Sequence, residues 1–381
     1  MRYTYVRENP VFRFLFVVLI PLAILAYVHF GTDPYYETVF VLFLVNIIPC
    51  AALNLTNGIT GIFSLGQAAF MALGAYISSL LTLEPKTKFA YMPQIPEWLG
   101  NAHFPFWAAM LAACVITSLI AVVIGFTILR AKGHYLAVIT LGMVIVVKSL
   151  LDNASNLTNG SRGISGMEKY TTMPVALLCV IITLYVLYRI RISAFGRSMI
   201  ALRDDEDAAA SLGIRHLQIR LLSFVVSAFF AAAGGCLWAH LERVIAPSLF
   251  YFDETFTILE MSVIGGMATL SGAIPGAAIL TFIPQVLADL SNGFTIFGIT
   301  VPKISGLSSI VMSIVFILVI IFRRGGVTGN SEYIVESMFS LDTYTGLFRK
   351  STYADLKQSL LNIGKRNRQP ANEESVKEDR K

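Results

Sequence analysis

The chain of 381 residues is 55% hydrophobic and only 14% charged, and its formal net charge is +5. This composition excludes an ordinary soluble globular protein and indicates a polytopic membrane protein. No basic stretch alternates with surface aromatic residues, so the positive charge predicts contact with anionic membrane lipids and not with nucleic acid.

Apolar segments recur along the chain at close to the roughly 20 residues that a helix needs to cross a bilayer. A soluble helical bundle would need polar faces at helical spacing, which a segment such as 311–322 lacks. We therefore predict an all-α transmembrane bundle of about ten spans, with counts of eight or nine also open. The predicted spans are 12–30, 36–53, 60–83, 104–129, 134–151, 172–190, 220–241, 254–270, 273–290 and 304–322.

The distribution of basic residues predicts the orientation, because Lys and Arg are retained on the cytoplasmic side of a membrane. If the spans alternate, the arginines of residues 189–220 and the pair at 323–324 fall on one side. Both termini are then cytoplasmic. The first apolar run ends without a small-x-small cleavage site, which favours an uncleaved first span over a removable signal peptide.

The predicted transmembrane domain covers residues 1–325. Its loop 84–103 contains three prolines and is predicted to be irregular. Residues 326–364 form a predicted cytoplasmic tail, in which two amphipathic stretches indicate short helices. Residues 365–381 are charged and are predicted to be disordered.

Glycines and small polar residues concentrate in NLTNGITGIFSLGQAAF, residues 54–70, and in IGGMATLSGAIPGAA, residues 264–278. The first stretch predicts a break in a helix near membrane depth, where backbone groups face a polar cavity. The second predicts a turn with close helix packing. The candidate residues of a translocation path are Asn54, Asn57, Gly58, Gly61, Ser64, Gln67, Glu260, Gly265 and Gly266.

Glu260 and Lys148 are ionisable side chains inside predicted spans, where a charge is a functional hypothesis by default. Glu260 lies in the middle of its segment, and it is either a structural hydrogen-bonding group or the lining of a wet cavity. Lys148 precedes Asp152 by four residues, and this spacing predicts an ion pair of a snorkelling lysine without a transport role.

A short sequence recurs, since NLTNGITGI at 54–62 is similar to NLTNGSRGI at 156–164. An inverted repeat is a known transporter architecture and would place equivalent breaks around one central site. The alternative is that Asn, Gly and Thr recur because they suit turns and tolerate a left-handed backbone.

Residues 191–219, which we name the polar segment, separate two apolar spans and contain RDDEDAAASLG. Asp204 and Asp205 precede a run of alanines that ends near Gly213. Acidic groups favour the N-terminus of a helix and glycine favours its end, so this pattern predicts a short helix. Its alanines would give a smooth surface that suits docking in the groove of a partner.

The sequence contains no motif of an enzyme or of a metal site. The nucleotide-binding pattern G-x-x-x-x-G-K-[ST] is absent, because the pair Gly364–Lys365 continues with Arg366 in the polar tail. H-E-x-x-H and G-x-S-x-G are also absent, and the five histidines are scattered. We therefore predict no catalytic residue, no bound metal and no ATP hydrolysis by this chain.

Several segments resemble the inner-membrane permeases of ABC importers, specifically the high-affinity branched-chain amino acid type. Asp207-Ala-Ala-x-x-x-Gly213 is similar to the E-A-A-x-x-x-G coupling loop of such permeases, with Asp in place of Glu. Further similar segments are 58–76, 133–142, 159–166, 196–214 and 258–277. The coupling-loop residues that the resemblance implies are Gly196, Arg197, Arg203, Asp207, Ala208, Ala209 and Gly213.

The resemblance implies a multi-pass permease of the bacterial cytoplasmic membrane that forms the path for branched-chain amino acids. It implies a second permease subunit, identical or different, two cytoplasmic ATPase subunits, and a periplasmic or lipid-anchored solute-binding protein. ATP and Mg²⁺ would be bound by the ATPase subunits, and this chain would hold no cofactor. Urea, short-amide and sugar permeases remain alternatives within the superfamily, and an ion-coupled secondary transporter or a membrane scaffold are the alternative classes.

Overall fold

The computed structural model describes residues 34–131, 134–291, 294–296, 299–301, 307–322, 325–329 and 332–339. The predicted span 12–30 and the predicted tail beyond residue 339 lie outside them. Residues 32–332 form one compact unit, which contains every described element except the helix Tyr333–Phe339. This unit ends beyond the predicted domain boundary at residue 325.

The described part of the chain is mainly helical, and we number its α-helices in chain order. They are α1 (Pro34–Leu53), α2 (Gln67–Thr82), α3 (Pro85–Tyr91), α4 (Glu97–Gly100), α5 (Phe106–Ile128), α6 (His134–Asn153), α7 (Ser155–Thr158), α8 (Met173–Ile192), α9 (Ala194–Asp204), α10 (Glu206–Ser211), α11 (His216–Glu242), α12 (Phe252–Gly265), α13 (Ala273–Ser291), α14 (Leu307–Phe322) and α15 (Tyr333–Phe339). A π-helical turn, Asn54–Ile59, extends α1, and 3-10 turns lie at Gly160–Arg162 and Pro247–Phe250.

Two antiparallel pairs of short strands accompany the helices. β1 (Ile164–Ser165) pairs with β2 (Val244–Ile245), and Ile164 lies opposite Ile245. β3 (Phe294–Ile296) pairs with β4 (Ile299–Val301), and Thr295 lies opposite Thr300. These strands are too short to change the fold class, which is that of a helical membrane protein.

Five helices in the described residues are long and apolar enough to cross a membrane. They are α1 with its π-helical turn, α5, α6, α8 and α11, and they coincide with five of the predicted spans. A sixth crossing results if α2 and α3, which meet at 119°, are one span. The total of about ten spans and the orientation remain predictions.

Two predicted spans correspond to helices that are shorter than expected. α2 begins at Gln67 and not at residue 60, because residues 60–66 are irregular. α12 ends at Gly265 and not at residue 270, because Gly266 has φ +122° and the chain turns there. At 1.5 Å per residue their 16 and 14 residues extend about 24 and 21 Å, against about 30 Å of hydrocarbon core.

The central helix of the unit is α11, which packs against α1, α2 and α5. Its buried positions include many small residues, and small residues let helix backbones approach closely. Phe70 of α2 and Phe224 of α11 meet edge to face, with 5.2 Å between ring centroids. The small buried residues of α11 are Ser223, Ser227, Ala228, Ala231, Ala232, Ala233, Gly234, Gly235, Cys236 and Ala239.

The loop 84–103 is more regular than predicted, since it contains α3 and α4. Its prolines do not prevent these helices, because Pro85 lies in the first turn of α3 and Pro96 immediately precedes α4. A missing backbone N–H costs nothing at those positions. The buried Lys88 of α3 donates a hydrogen bond to the carbonyl oxygen of Leu99 at 3.2 Å, which connects the two helices.

The two copies of the NLTNG sequence have different conformations. Residues 54–62 form the π-helical turn and the irregular backbone after it, whereas residues 156–164 include α7, a 3-10 turn and the start of β1. Equivalent halves of an inverted repeat would have similar local structure. The difference therefore favours the interpretation that these residues recur because they suit turns.

Lys148 and Asp152 form the predicted ion pair at the end of α6, with 2.7 Å between Nζ and Oδ2. The other carboxylate oxygen of Asp152 accepts a hydrogen bond from the hydroxyl of Ser161 at 3.0 Å. Nζ of Lys148 also lies 5.4 Å from the ring centroid of Tyr251. These contacts explain why a lysine is tolerated at this position of α6 without a role in transport.

Candidate functional site

The polar segment comprises the end of α8, the whole of α9 and α10, and the first residues of α11. α9 begins after Ser193, whose Oγ accepts a hydrogen bond from the N–H of Gly196 at 3.4 Å. Gly196 is buried in the corner between α8 and α9, whereas Arg197 is exposed. Nη1 of Arg197 donates to the carbonyl oxygen of Ile192 at 3.1 Å. These two residues of the predicted coupling loop thus stabilise the corner itself.

α10 is the short helix that the sequence predicts. Its N-cap is Asp205, whose Oδ1 accepts hydrogen bonds from the N–H groups of Asp207 and Ala208, both at 2.9 Å. Gly213 ends this turn of the chain with φ +82°, a left-handed conformation that glycine adopts without strain. Ala209 faces inward and is only 2% exposed. The predicted helix, with Gly213 as its stop, is therefore confirmed.

The outer face of α10 is open and consists of small residues beside one large apolar side chain. Leu212 is 80% exposed, and a Cβ added to Gly213 would meet no atom within 4 Å. An exposed leucine beside small side chains is a surface that another helix or groove can approach closely. The exposed residues are Asp207, Ala208, Ala210, Ser211, Leu212 and Gly213.

Glu206 connects α10 to the start of α11. Its Oε1 lies 3.0 Å from Nδ1 of His216, and its Oε2 accepts a hydrogen bond from Nη2 of Arg220 at 2.8 Å. Burial opposes the ionisation of Glu206, but the hydrogen bond to His216 and the charge of Arg220 outweigh it and lower the pKa of the carboxyl group. Glu206 thus forms a charged contact between α10 and α11.

Residues 54–66, which we name the first break, are the π-helical turn that extends α1 and the irregular backbone between it and α2. The side-chain amide of Asn57 closes it: Nδ2 donates to the carbonyl oxygen of Ser64, and Oδ1 accepts from the N–H of Ser64, both at 3.0 Å. Oγ1 of Thr60 lies 2.7 Å from Oγ of Ser223 in α11. These hydrogen bonds satisfy polar groups that would otherwise be buried without partners.

The ends of the first break are connected to three other elements. Nδ2 of Asn54 donates to the carbonyl oxygen of Thr269 at 2.7 Å, and Oδ1 accepts from the hydroxyl of Ser262 in α12 at 2.5 Å. At the other end, the hydroxyl of Ser227 in α11 donates to Oε1 of Gln67 at 3.2 Å. The polar side chains that the sequence singles out here are therefore bonded to the protein itself.

The turn between α12 and α13, residues 266–272, is the second break, and it contacts the first one directly. A Cβ added to Gly58 would lie 1.6 Å from the carbonyl oxygen of Met267, so only glycine allows this approach. Gly265 lies against Gly272 across the turn. This geometry confirms the close packing that the second glycine cluster predicts.

Arg203 connects the polar segment to the first break. Its Nη1 donates to the carbonyl oxygen of Gly58 at 3.1 Å, while Nε and Nη2 bond to Oδ1 of Asp204 at 3.0 and 2.9 Å. The aliphatic part of its side chain packs on Gly61. A residue of the predicted coupling loop thus contacts two residues of the predicted path.

Glu260 lines a cavity of about 360 Å³ between α12, α13 and α14. Asp253, Thr257 and Glu260 lie on the same face of α12, because four residues separate the first two and three residues separate the last two. Glu260 is the one predicted path residue that lines this cavity. Among the described residues, the cavity is also lined by Phe256, Leu280, Pro284, Met312 and Ser313.

The structure brings most of the predicted path residues together where the two breaks meet. Ser227, Ser262 and Thr269 complete the hydrogen bonding of Gln67 and Asn54, although the sequence does not single them out. A single hydroxyl in an apolar helix forms no pattern, so its partner is visible only in three dimensions. The residues gathered here are Asn54, Asn57, Gly58, Gly61, Ser64, Gln67, Gly265 and Gly266.

Comparison with known proteins shows similarity to transport permeases. Residues 35–320, more than half of the chain, match the family described as branched-chain amino acid transport system, permease component. The chain is 29% identical to the high-affinity branched-chain amino acid transport system permease proteins LivM of Salmonella typhimurium (strain LT2) and Escherichia coli (strain K12). These matches cover 65% of this chain and 63% of each relative, which is less than two thirds of the relative.

A relative of lower identity is named for the import of a different solute. The chain is 27% identical to the autoinducer 2 import system permease protein LsrC of Yersinia pseudotuberculosis, over 53% of this chain and 63% of that protein. No solved structure matches the chain. The relatives therefore include permeases whose names give more than one imported solute.

Proposed function

Because the chain belongs to the family of permease components of branched-chain amino acid transport systems, we propose that it is the permease subunit of an ATP-driven ABC importer. The observation on which this rests is the geometry of the polar segment. α10 presents an exposed face of small residues, and Arg203 connects the same segment to the first break. A permease that is driven by a separate ATPase needs a surface on which the ATPase docks and a contact that connects this surface to the transmembrane helices.

The proposed partners supply what the sequence of this chain lacks. Two cytoplasmic ATPase subunits would bind ATP and Mg²⁺, one of them against the face of α10 that includes Asp207 and Leu212. A second permease subunit would complete the path, and a periplasmic or lipid-anchored binding protein would deliver the solute. The bacterial cytoplasmic membrane is the corresponding location.

Coupling would proceed through the contacts of the polar segment. Closure of the ATPase pair would displace α10, and Glu206 would transmit this movement to α11 through Arg220. Arg203 would transmit it to the carbonyl oxygen of Gly58 in the first break. The residues around the two breaks would then line or gate the path, because they are the polar groups held among apolar helices.

Branched-chain amino acids are the proposed cargo, on the basis of the LivM relatives. The LsrC relative shows why the cargo has to be measured. Proteoliposomes that contain the complete complex should take up labelled leucine, isoleucine and valine when ATP is present. Unlabelled urea and sugars should not compete, and competition by either would identify another cargo.

A substitution of Gly213 by Asp tests the coupling role. Because Gly213 lies in open space beside the proposed docking face, an added carboxylate should abolish ATP-dependent uptake while membrane insertion and expression stay normal. Asn is the matched control, since it has a similar size, no charge and tolerance for left-handed backbone. We expect Gly213→Asn to retain part of the uptake, and normal uptake by Gly213→Asp would contradict the proposal.

The alternative classes make different predictions. An ion-coupled secondary transporter would take up solute as this chain alone, driven by an ion gradient and without ATPase subunits or binding protein. A membrane scaffold would tolerate replacement of both Asp207 and Gly213 without any change in uptake. Either result would overturn the assignment as an importer subunit.

A further inference from the structure

Glu332 is a buried carboxylate, 5% exposed, that lies beyond the predicted transmembrane domain. Its Oε1 accepts a hydrogen bond from the N–H of Leu270 at 2.7 Å. Its Oε2 accepts from the N–H and from the hydroxyl of Ser271, at 3.0 and 3.1 Å. These N–H groups precede α13, where backbone donors lack partners within the helix, so Glu332 stabilises the end of the second break.

Arg191 is the cation that faces this carboxylate. Nε of Arg191 lies 3.2 Å from Oε1 of Glu332, as an ion pair without hydrogen-bond geometry. The side chain of Arg191 is 25% exposed and that of Glu332 only 3%, so the pair is poorly screened by solvent. Arg191 lies in the last turn of α8, where the polar segment begins. The pair therefore connects that segment to the second break.

The two arginines make parallel connections. Arg203, near the middle of the polar segment, bonds to Gly58 of the first break, and Arg191, at its start, reaches the second break through Glu332. The two breaks contact each other where Gly58 meets Met267. A displacement of the polar segment would therefore act on both breaks at once.

On the basis of the proposed importer function, we propose that Arg191 and Glu332 are positioning residues that transmit movement of the polar segment to the second break. A purely structural carboxylate would behave differently. If Glu332 served only as a cap for Leu270 and Ser271, its three hydrogen bonds would survive the loss of Arg191. Substitution of Arg191 therefore separates the two roles, and substitution of Glu332 provides the reference.

The first experiment measures hydrogen exchange in the full chain and does not depend on transport. We expect Arg191→Met to accelerate exchange of the peptide that covers residues 266–272 by about tenfold, since the carboxylate is no longer held in place. Glu332→Gln should accelerate it at least as much. Arg189→Met is the matched control, because Arg189 lies exposed in the same last turn of α8, and it should leave the exchange unchanged.

The second experiment measures coupling in proteoliposomes with the ATPase subunits and the binding protein. We expect Arg191→Met to lower the uptake of labelled leucine per ATP hydrolysed severalfold while the basal ATPase rate stays normal. Arg191→Lys, which keeps the charge, should restore part of the ratio. Poor assembly alone would lower uptake and hydrolysis together and leave their ratio unchanged.

The outcomes distinguish this inference from the importer function itself. Absence of ATP-dependent uptake in the unsubstituted complex would refute the importer function, whatever the exchange experiment gives. Uptake by that complex, with an unchanged leucine-to-ATP ratio in Arg191→Met, would overturn the positioning role. Exchange at the unsubstituted rate in Arg191→Met would overturn it as well.

Discussion

The polar segment and the two breaks both interrupt apolar helices, but different contacts stabilise them. Capping bonds in the polar segment are local, since Ser193 and Asp205 bond to N–H groups two or three residues ahead. In the first break Asn54 bonds to Ser262 and Thr269, which lie more than two hundred residues away in sequence. The capping of the polar segment thus depends only on neighbouring residues, whereas one break cannot change without the other.

The polar segment and the breaks also differ in how far their side chains are exposed to solvent. Leu212 is 80% exposed, whereas Asn54 is completely buried. Substitutions at exposed positions usually change stability little, but a buried polar group left without its partner costs about 1–3 kcal/mol. We therefore expect changes in the breaks to affect folding, and changes on the face of α10 to affect only the steps that need a partner.

The strongest test of this contrast is Gly58→Ala in the first break. Its Cβ would lie 1.6 Å from the carbonyl oxygen of Met267, so the two breaks would have to separate. Overpacking of this kind costs about 1–3 kcal/mol, and more where backbone atoms must move. We expect a clearly lower melting temperature of the purified chain in detergent, poor expression and loss of uptake.

The matched control for Gly58→Ala is Gly142→Ala. Gly142 lies in α6, and a Cβ added there would meet no atom within 4 Å. Because alanine favours a helix over glycine by about 1 kcal/mol, this variant should melt at the same temperature or slightly higher. Equal melting temperatures for the Gly58 and Gly142 variants would contradict a direct contact between the two breaks.

The different range of these contacts explains how much the sequence could predict. The capping residues of α10 lie within three positions of their partners, so acidic residues before alanines and a following Gly213 predict this helix correctly. The sequence wrongly predicts that α12 ends at residue 270, whereas it ends at Gly265. Apolar composition continues to residue 270, and the turn is stabilised from far along the chain, as in the 2.8 Å bond from the N–H of Val327 to the carbonyl oxygen of Ile264.

The site shows the same division. Glycines and amides at 54–67 predict a break, because their residue types are unusual in an apolar helix. The partners of these amides include single hydroxyls, such as those of Ser227 and Ser262, which no spacing rule identifies. Glu332 lies outside the predicted domain for a similar reason, since its partners Leu270 and Ser271 are more than sixty residues earlier.

A smaller effect is expected from Asp205→Ala in the polar segment. Loss of the N-cap should destabilise α10 locally by about 0.5–2 kcal/mol, because two N–H groups lose their acceptor. Hydrogen exchange of residues 206–213 should accelerate, while the melting temperature of the chain stays unchanged. Asp205→Asn keeps an acceptor oxygen and should retain most of the protection, so equal exchange in both variants would contradict a local capping role.

The smallest expected effect is the pH dependence of the contact between α10 and α11. The pKa of Glu206 is lowered in the folded chain despite burial, because His216 and Arg220 favour its charged form. The stabilisation that Glu206 provides is therefore fully present above the ordinary carboxyl pKa of about 4.3. It is lost as the pH falls through the lowered pKa of the folded chain. Hydrogen exchange of α10, corrected for the intrinsic rate, should accelerate in that acid window.

Glu206→Gln separates this titration from all other acid effects. The amide keeps an acceptor oxygen for Arg220 but has no carboxyl group to protonate, so protection of α10 should be lower at neutral pH and should not decline further through this group on acidification. Because Glu206 is partly exposed, solvent screening keeps the difference small at neutral pH. Identical acid profiles for the two chains would mean that α10 is held by its capping bonds alone, and that the polar segment has no charged connection to α11.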